Sequence, residues 1–284
     1  MTATAPPALA GLGGAVVRRA APHALSGAAR DRAARGRLPR SAAAPDRRAR
    51  RRGRGVVAPG RGRRSAARAP RPAPAVLFLH GNYELVDEWV GAFEPLRAAG
   101  IGVLVVEYPG YGRSTGVPTQ QSVTGLAVAA WDLLAAKQGE VDAERIIALG
   151  RSVGGGLASA LSLRRPLGAL VLSSAFTGIR AYARRYLLPG FLLRYPFDNL
   201  SAVRAFRGPV LVQHGTRDRT VPFAHGAALA AAGGDAELIR YDCGHNDCPW
   251  DRMLQDMIAF LSRRGLLEAG GGAGGNPPGA SGVG

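Results

Sequence analysis

Apolar and polar positions along this chain fall into two alternating patterns. Short apolar runs recur near residues 76–79, 102–106, 145–149, 168–172 and 209–213, and a mixed run near 236–241 also reads as a strand. The apolar runs predict strands buried on both faces. Longer segments between them, near 86–99, 119–137, 154–164, 222–232 and 247–263, predict helices. Alternating strand and helix predicts an α/β fold, a mostly parallel sheet with helices on both faces. No fixed-period repeat is visible.

One segment breaks the alternation. Residues 176–200 lie between two predicted strands and read as a small cap. They hold Phe176, Tyr182, Tyr186, Phe191, Tyr195 and Phe197, with Arg180, Arg184, Arg185 and Arg194 interleaved. Most of these aromatics are expected to pack the cap onto the core. Tyr186 and Phe191, with Tyr83 from an earlier loop, are the candidates for contact with substrate above the site.

The chemistry-bearing residues sit at strand ends. Gly150-Arg151-Ser152-Val153-Gly154 follows the apolar run Ile146-Ile147-Ala148-Leu149 and precedes a helical segment. A Gly-x-Ser-x-Gly at a strand-to-helix junction is a nucleophile elbow, whose tight turn needs small residues on either side of the Ser. Asp218 lies just past the run Val210-Leu211-Val212, and His245 follows the run ending at Tyr241. The order Ser, Asp, His matches the nucleophile–acid–base order found with this elbow.

Each residue type has a reason. A Ser hydroxyl is a weak nucleophile until a base takes its proton. An imidazole can take that proton and return it to the leaving group. A carboxylate fixes the imidazole tautomer and steadies the imidazolium. A tetrahedral oxyanion needs two preplaced N–H donors. Val153 N–H is the first candidate. The second comes from the turn His80-Gly81-Asn82-Tyr83, with Asn82 N–H ahead of Tyr83 N–H.

Five runs, VLFLHGN, EYPGYGRSTG, IALGRSVGGGLA, HGTRDRTVP and DCGHND, together resemble the α/β-hydrolase superfamily. They are similar in particular to the branch with protein depalmitoylases and prolyl-oligopeptidase-related hydrolases. The resemblance runs from about Pro74 to Gly265. It implies the α/β-hydrolase fold, a catalytic Ser152, Asp218 and His245, and an oxyanion hole from Asn82 and Val153. It carries no substrate, because one scaffold hosts many chemistries. Two positions depart from the branch: Glu107 stands where Asp is usual, and Pro109 where Arg is usual. The edge strands that relatives carry before the His-Gly strand have no counterpart in the apolar pattern before Pro74.

Charge divides the chain. The formal net charge is +17. Residues 1–75 hold 18 Arg, no Lys and two Asp, so the rest is close to neutral. A segment this rich in Arg, Ala, Gly and Pro cannot bury enough apolar surface to fold alone. Residues 1–73 therefore read as a disordered tail, 74–268 as the hydrolase domain with its cap, and 269–284 as a Gly-rich tail. The basic tail has three readings: a polyanion-binding segment, a transit peptide, or high-GC coding DNA read in a wrong frame or from an early start. Nonspecific polyanion binding is expected of it, without a dedicated nucleic-acid site. No transmembrane segment is expected.

The remaining candidates are weaker. His80 and His214 read as structural, His225 as a surface residue on a helix. Cys243 and Cys248 bracket His245. A Cys-x-His-x-x-Cys metal site would supply only three ligands. A disulfide is the reading for an oxidising compartment, and reduced thiols the default for the expected cytoplasmic location. No metal or cofactor is implied. The sequence thus points to hydrolysis of an acyl ester or thioester. A serine peptidase or amidase of the same fold is the first alternative. A catalytically inactive scaffold is the second.

Overall fold

The computed structural model describes residues 71–178 and 197–267, together with the backbone of residues 55–58. Seven strands form one sheet: β1 (Gly55–Ala58), β2 (Ala73–Leu79), β3 (Gly102–Val106), β4 (Val141–Arg151), β5 (Ala169–Ser173), β6 (Val210–Gly215) and β7 (Ala236–Tyr241). Their spatial order is β1-β3-β2-β4-β5-β6-β7. Strands β2 to β7 run parallel, and β1 is an antiparallel edge. This is the mostly parallel sheet that the alternation predicts.

The continuous apolar runs follow from burial on both faces. Side chains alternate across a strand, so each run feeds two cores. Leu77, Ile146, Ala148, Leu170 and Leu172 pack on one face; Val76, Phe78, Ile147, Leu149 and Val171 pack on the other. Helices α2 (Gln120–Ala135), α3 (Gly154–Ser162), α4 (Asn199–Ala205) and α5 (Phe223–Ala232) cover the first face. A 3₁₀ turn (Val86–Trp89), α1 (Glu94–Ala98) and α6 (Trp250–Arg263) cover the second. On α6 the buried residues Met253, Leu254, Met257, Phe260 and Leu261 recur at helical spacing. Each such side chain stabilises the fold by roughly 1.5–3 kcal/mol.

Three sequence expectations need correction. The helix expected over 86–99 is a 3₁₀ turn and a short helix, parted near Gly91, whose φ of 95° favours glycine. Helix α4, capped by the Asp198 side chain on Ser201 N–H, begins within the expected cap. Residues 179–196 of that cap, with Tyr186 and Phe191, lie outside the described residues.

The third correction concerns the region before Pro74. Gly55–Ala58 lies inside the stretch read as tail, yet it pairs antiparallel with β3, Gly55 opposite Val106 and Ala58 opposite Val103. Its pattern is too short to signal a strand, and the open edge of β3 supplies the hydrogen-bonding partner. A chain beginning at Gly55 should therefore be more stable than one beginning at Arg71. The shorter chain bares an edge that invites aggregation. Its thermal midpoint should drop by roughly 2–4 °C per kcal/mol lost, read by calorimetry. Equal midpoints and equal solubility would show that β1 contributes nothing.

Candidate active site

Strand β4 ends at Arg151 and α3 starts at Gly154, so Ser152 sits in the turn between them. Ser152 has φ of 52°, a left-handed backbone that costs a non-glycine residue about 1–3 kcal/mol. Its N–H still donates to Ser173 O at 2.8 Å, which ties the turn to β5. The flanking glycines make the turn possible. A Cβ on Gly150 would meet Gly155 Cα at 2.6 Å, and one on Gly154 would meet His80 O at 2.6 Å. The helix therefore starts in contact with the backbone of β2 and β4, and only glycine fits.

The loops after β6 and β7 bring the other two residues to the Ser. Ser152 Oγ lies 3.1 Å from His245 Nε2, and His245 Nδ1 lies 2.7 Å from Asp218 Oδ2. With the proton on Nδ1, His245 donates to Asp218 and its Nε2 accepts from the Ser hydroxyl. Asp218 Oδ1 accepts from Thr220 N–H at 2.9 Å and Val221 N–H at 2.8 Å. Burial pushes the Asp218 carboxyl up. Hydrogen bonds from His214, His245 and Val221 N–H outweigh it and hold the group well below the usual carboxylate range. His214 is fully buried, its Nε2 2.8 Å from Val221 O and 3.5 Å from Asp218 Oδ2. The neighbouring Arg217 pairs with Asp242.

The candidate oxyanion donors lie beside the same Ser. Among the described residues, no backbone carbonyl accepts the Val153 or Asn82 N–H. The Asn82 side chain accepts from Tyr111 OH at 2.6 Å. The Asn82 loop is anchored by His80, read as structural, and by Glu107. His80 Nε2 lies 3.1 Å from Glu107 Oε1, and its ring stacks on Tyr108 at 4.0 Å. Glu107 Oε2 accepts from Val86 N–H at 3.2 Å. Glu107, where the branch usually has Asp, thus reaches both ends of the loop.

A cavity of about 300 Å³ adjoins Ser152. Tyr108, Tyr111, Val123, Leu157, Phe176 and Phe197 line it, together with Asn82, Val153 and Ser152. Tyr83 does not line it; the residue is 91 % exposed and has φ of 61°. His225 is half-buried rather than a surface residue, with Nδ1 3.0 Å from Thr177 Oγ1.

Two charged residues were missed in the sequence. Arg151, the first x of the elbow motif, forms an ion pair with Glu84 through Nη1. Its Nη2 donates to His245 O at 3.0 Å and Asn246 Oδ1 at 2.9 Å. Glu84 Oε2 accepts from Gly81 N–H at 2.7 Å. Burial draws the Arg151 guanidinium down from its usual value, against a raising effect from the Asp218 charge. A variable motif position carries no signal of such contacts, because both partners are remote in sequence.

Cys243 and Cys248 are joined in a disulfide, not the reduced pair expected by default. Neither sulfur is then a free thiolate for the three-ligand metal site considered above. The bond closes the loop that carries His245. Among the described residues, no helix is long and apolar enough to cross a membrane.

Comparison with known proteins places this geometry in context. The family model described as the alpha/beta hydrolase fold matches residues 74–206. An uncharacterised protein of Mycobacterium tuberculosis is 35 % identical over 204 residues, covering 68 % of this chain and 72 % of that protein. Human alpha/beta hydrolase domain-containing protein 17B is 30 % identical over 205 residues, covering 69 % of this chain and 68 % of the relative. Among solved structures, an esterase from Thermogutta terrifontis aligns with a TM-score of 0.59 at 20 % identity, over 75 % of this chain and 90 % of the esterase. A Mycobacterium tuberculosis puromycin-hydrolyzing peptidase aligns with a TM-score of 0.63 at 23 % identity, over 77 % of this chain and 38 % of the peptidase. At such identities the structural likeness is one of fold.

Proposed function

The chain belongs to the α/β-hydrolase family, and from that premise we propose that it is a serine hydrolase of carboxylic esters or thioesters. The observation that carries the reading is the hydrogen-bonded line Ser152–His245–Asp218, at 3.1 and 2.7 Å, on a left-handed Ser turn. Ser152 Oγ attacks the acyl carbon while His245 Nε2 takes its proton. Asp218 holds the Nδ1 proton and stabilises the imidazolium. Val153 and Asn82 N–H groups receive the developing oxyanion. His245 then protonates the leaving alcohol or thiol, and the acyl-enzyme remains. Water, deprotonated by the same imidazole, attacks the acyl carbon. Collapse releases the acid and returns the proton to Ser152.

An apolar cavity against the nucleophile supports an acyl group as the part that is recognised. Labelling by a fluorophosphonate and hydrolysis of p-nitrophenyl esters test the reading together. Hydrolysis of an amide analogue at a comparable rate would favour the peptidase or amidase alternative. Absence of both labelling and turnover would leave an inactive scaffold.

The cavity also makes a specificity prediction. Leu157→Phe adds volume inside it without touching the hydrogen-bonded line. The octanoate-to-acetate ratio of kcat/KM should fall by roughly tenfold, since each excluded methylene is worth about 0.8 kcal/mol. An unchanged ratio would mean that the acyl chain lies elsewhere.

A further inference from the structure

We propose that Arg151 and Glu84 act as a positioning clamp that fixes the His245 loop and the Asn82 loop against the Ser152 turn. The inference rests on the serine-hydrolase reading and deepens it.

Three loops from distant parts of the chain must meet for that chemistry. The nucleophile follows β4, the oxyanion turn follows β2, and the base follows β7. Arg151 immediately precedes the nucleophile, at the end of β4. Its guanidinium reaches both other loops at once. Through Nη2 it bonds the carbonyl of His245 itself and the side chain of Asn246. Through Nη1 it pairs with Glu84, which in turn holds Gly81 N–H, one residue before Asn82. Both side chains are largely withdrawn from water, 13 % and 15 % exposed. A planar, forked donor suits this task, because it can aim bonds in two directions at fixed angles. Lysine, a single point charge, cannot reproduce that geometry.

Neither residue lines the apolar cavity, and neither touches Ser152 Oγ or the His245 ring among the described contacts. The clamp should therefore act on kcat and leave KM for a small ester nearly unchanged. Displacement of a catalytic group by about 1 Å costs on the order of 100-fold.

The test compares Arg151→Lys, Arg151→Gln and the double variant Arg151→Met/Glu84→Gln in the full chain. The double variant removes both charges, so no unpaired buried ion threatens the fold. Kinetics with p-nitrophenyl acetate are normalised to fluorophosphonate-reactive sites. Proton NMR follows the downfield resonance of the His245 Nδ1–H bonded to Asp218. The expected result is a fall in kcat of about 100-fold in the double variant, with KM within about threefold and the resonance broadened or lost. Arg151→Lys should recover thermal midpoint more fully than kcat. A double variant with near-normal kcat per reactive site and an unchanged resonance would overturn the clamp, even if its midpoint fell. Should the wild-type chain neither label nor turn over, the hydrolase reading fails, and the resonance alone still decides whether the clamp positions His245.

Discussion

Ser152→Ala is expected to abolish fluorophosphonate labelling and to lower ester turnover by about 10³- to 10⁶-fold. The variant removes one oxygen, the atom 3.1 Å from His245 Nε2. No hydroxyl then remains for the imidazole to activate, and the acyl-enzyme cannot form. The cavity and the Val153 and Asn82 N–H groups stay in place, so a residue of rate from binding and charge stabilisation should persist. The fold should tolerate the change. Alanine at the left-handed position carries backbone strain like that of serine, and the glycines that permit the turn are untouched. Kinetics of the purified variant, with circular dichroism as the control for folding, make the measurement. Turnover within tenfold of wild type, or label still on the protein, would remove Ser152 from the mechanism.

The sheet was legible because parallel strands buried on both faces must be continuously apolar. Strands β2 to β6 announced themselves that way; the edge strand β7, with Glu237 and Arg240 in it, showed only a mixed run. Strand β1 showed neither, because four residues among arginines and glycines show no period, and their partner, β3, lies more than 40 positions away. That Ser152, Asp218 and His245 meet was legible from motif and order, since each follows a strand whose end lies at one rim of the sheet. The clamp was not legible. Arg151, Glu84, Gly81 and His245 meet only after the parallel crossovers bring three strand ends together, and no local pattern encodes that meeting. Glu107 shows the same limit. Its departure from the branch looks arbitrary in sequence, yet in the fold its carboxylate spans from His80 to Val86 N–H.

Asp218→Asn is expected to lower kcat by about 10⁴-fold while leaving the chain folded. The asparagine oxygen can keep the bonds to Thr220 and Val221 N–H that now fall on Oδ1. Its amide then faces His245 Nδ1 as a donor. That stabilises the tautomer with the proton on Nε2, which cannot take a proton from Ser152. Stability carries a second signature of the same group. The Asp218 carboxyl is held below its usual range in the folded chain, so folding favours its ionised form. The contribution is fully present above the unfolded carboxyl pKa, about 3.9, and is lost as pH falls through the lower folded value. The variant lacks that contribution at every pH. Its thermal midpoint should therefore trail wild type at pH 7 and approach it as the pH drops below about 4. Turnover within tenfold of wild type would deny Asp218 the role of orienting His245. A midpoint difference that stays constant from pH 7 to pH 3 would instead deny that its ionised form supports the fold.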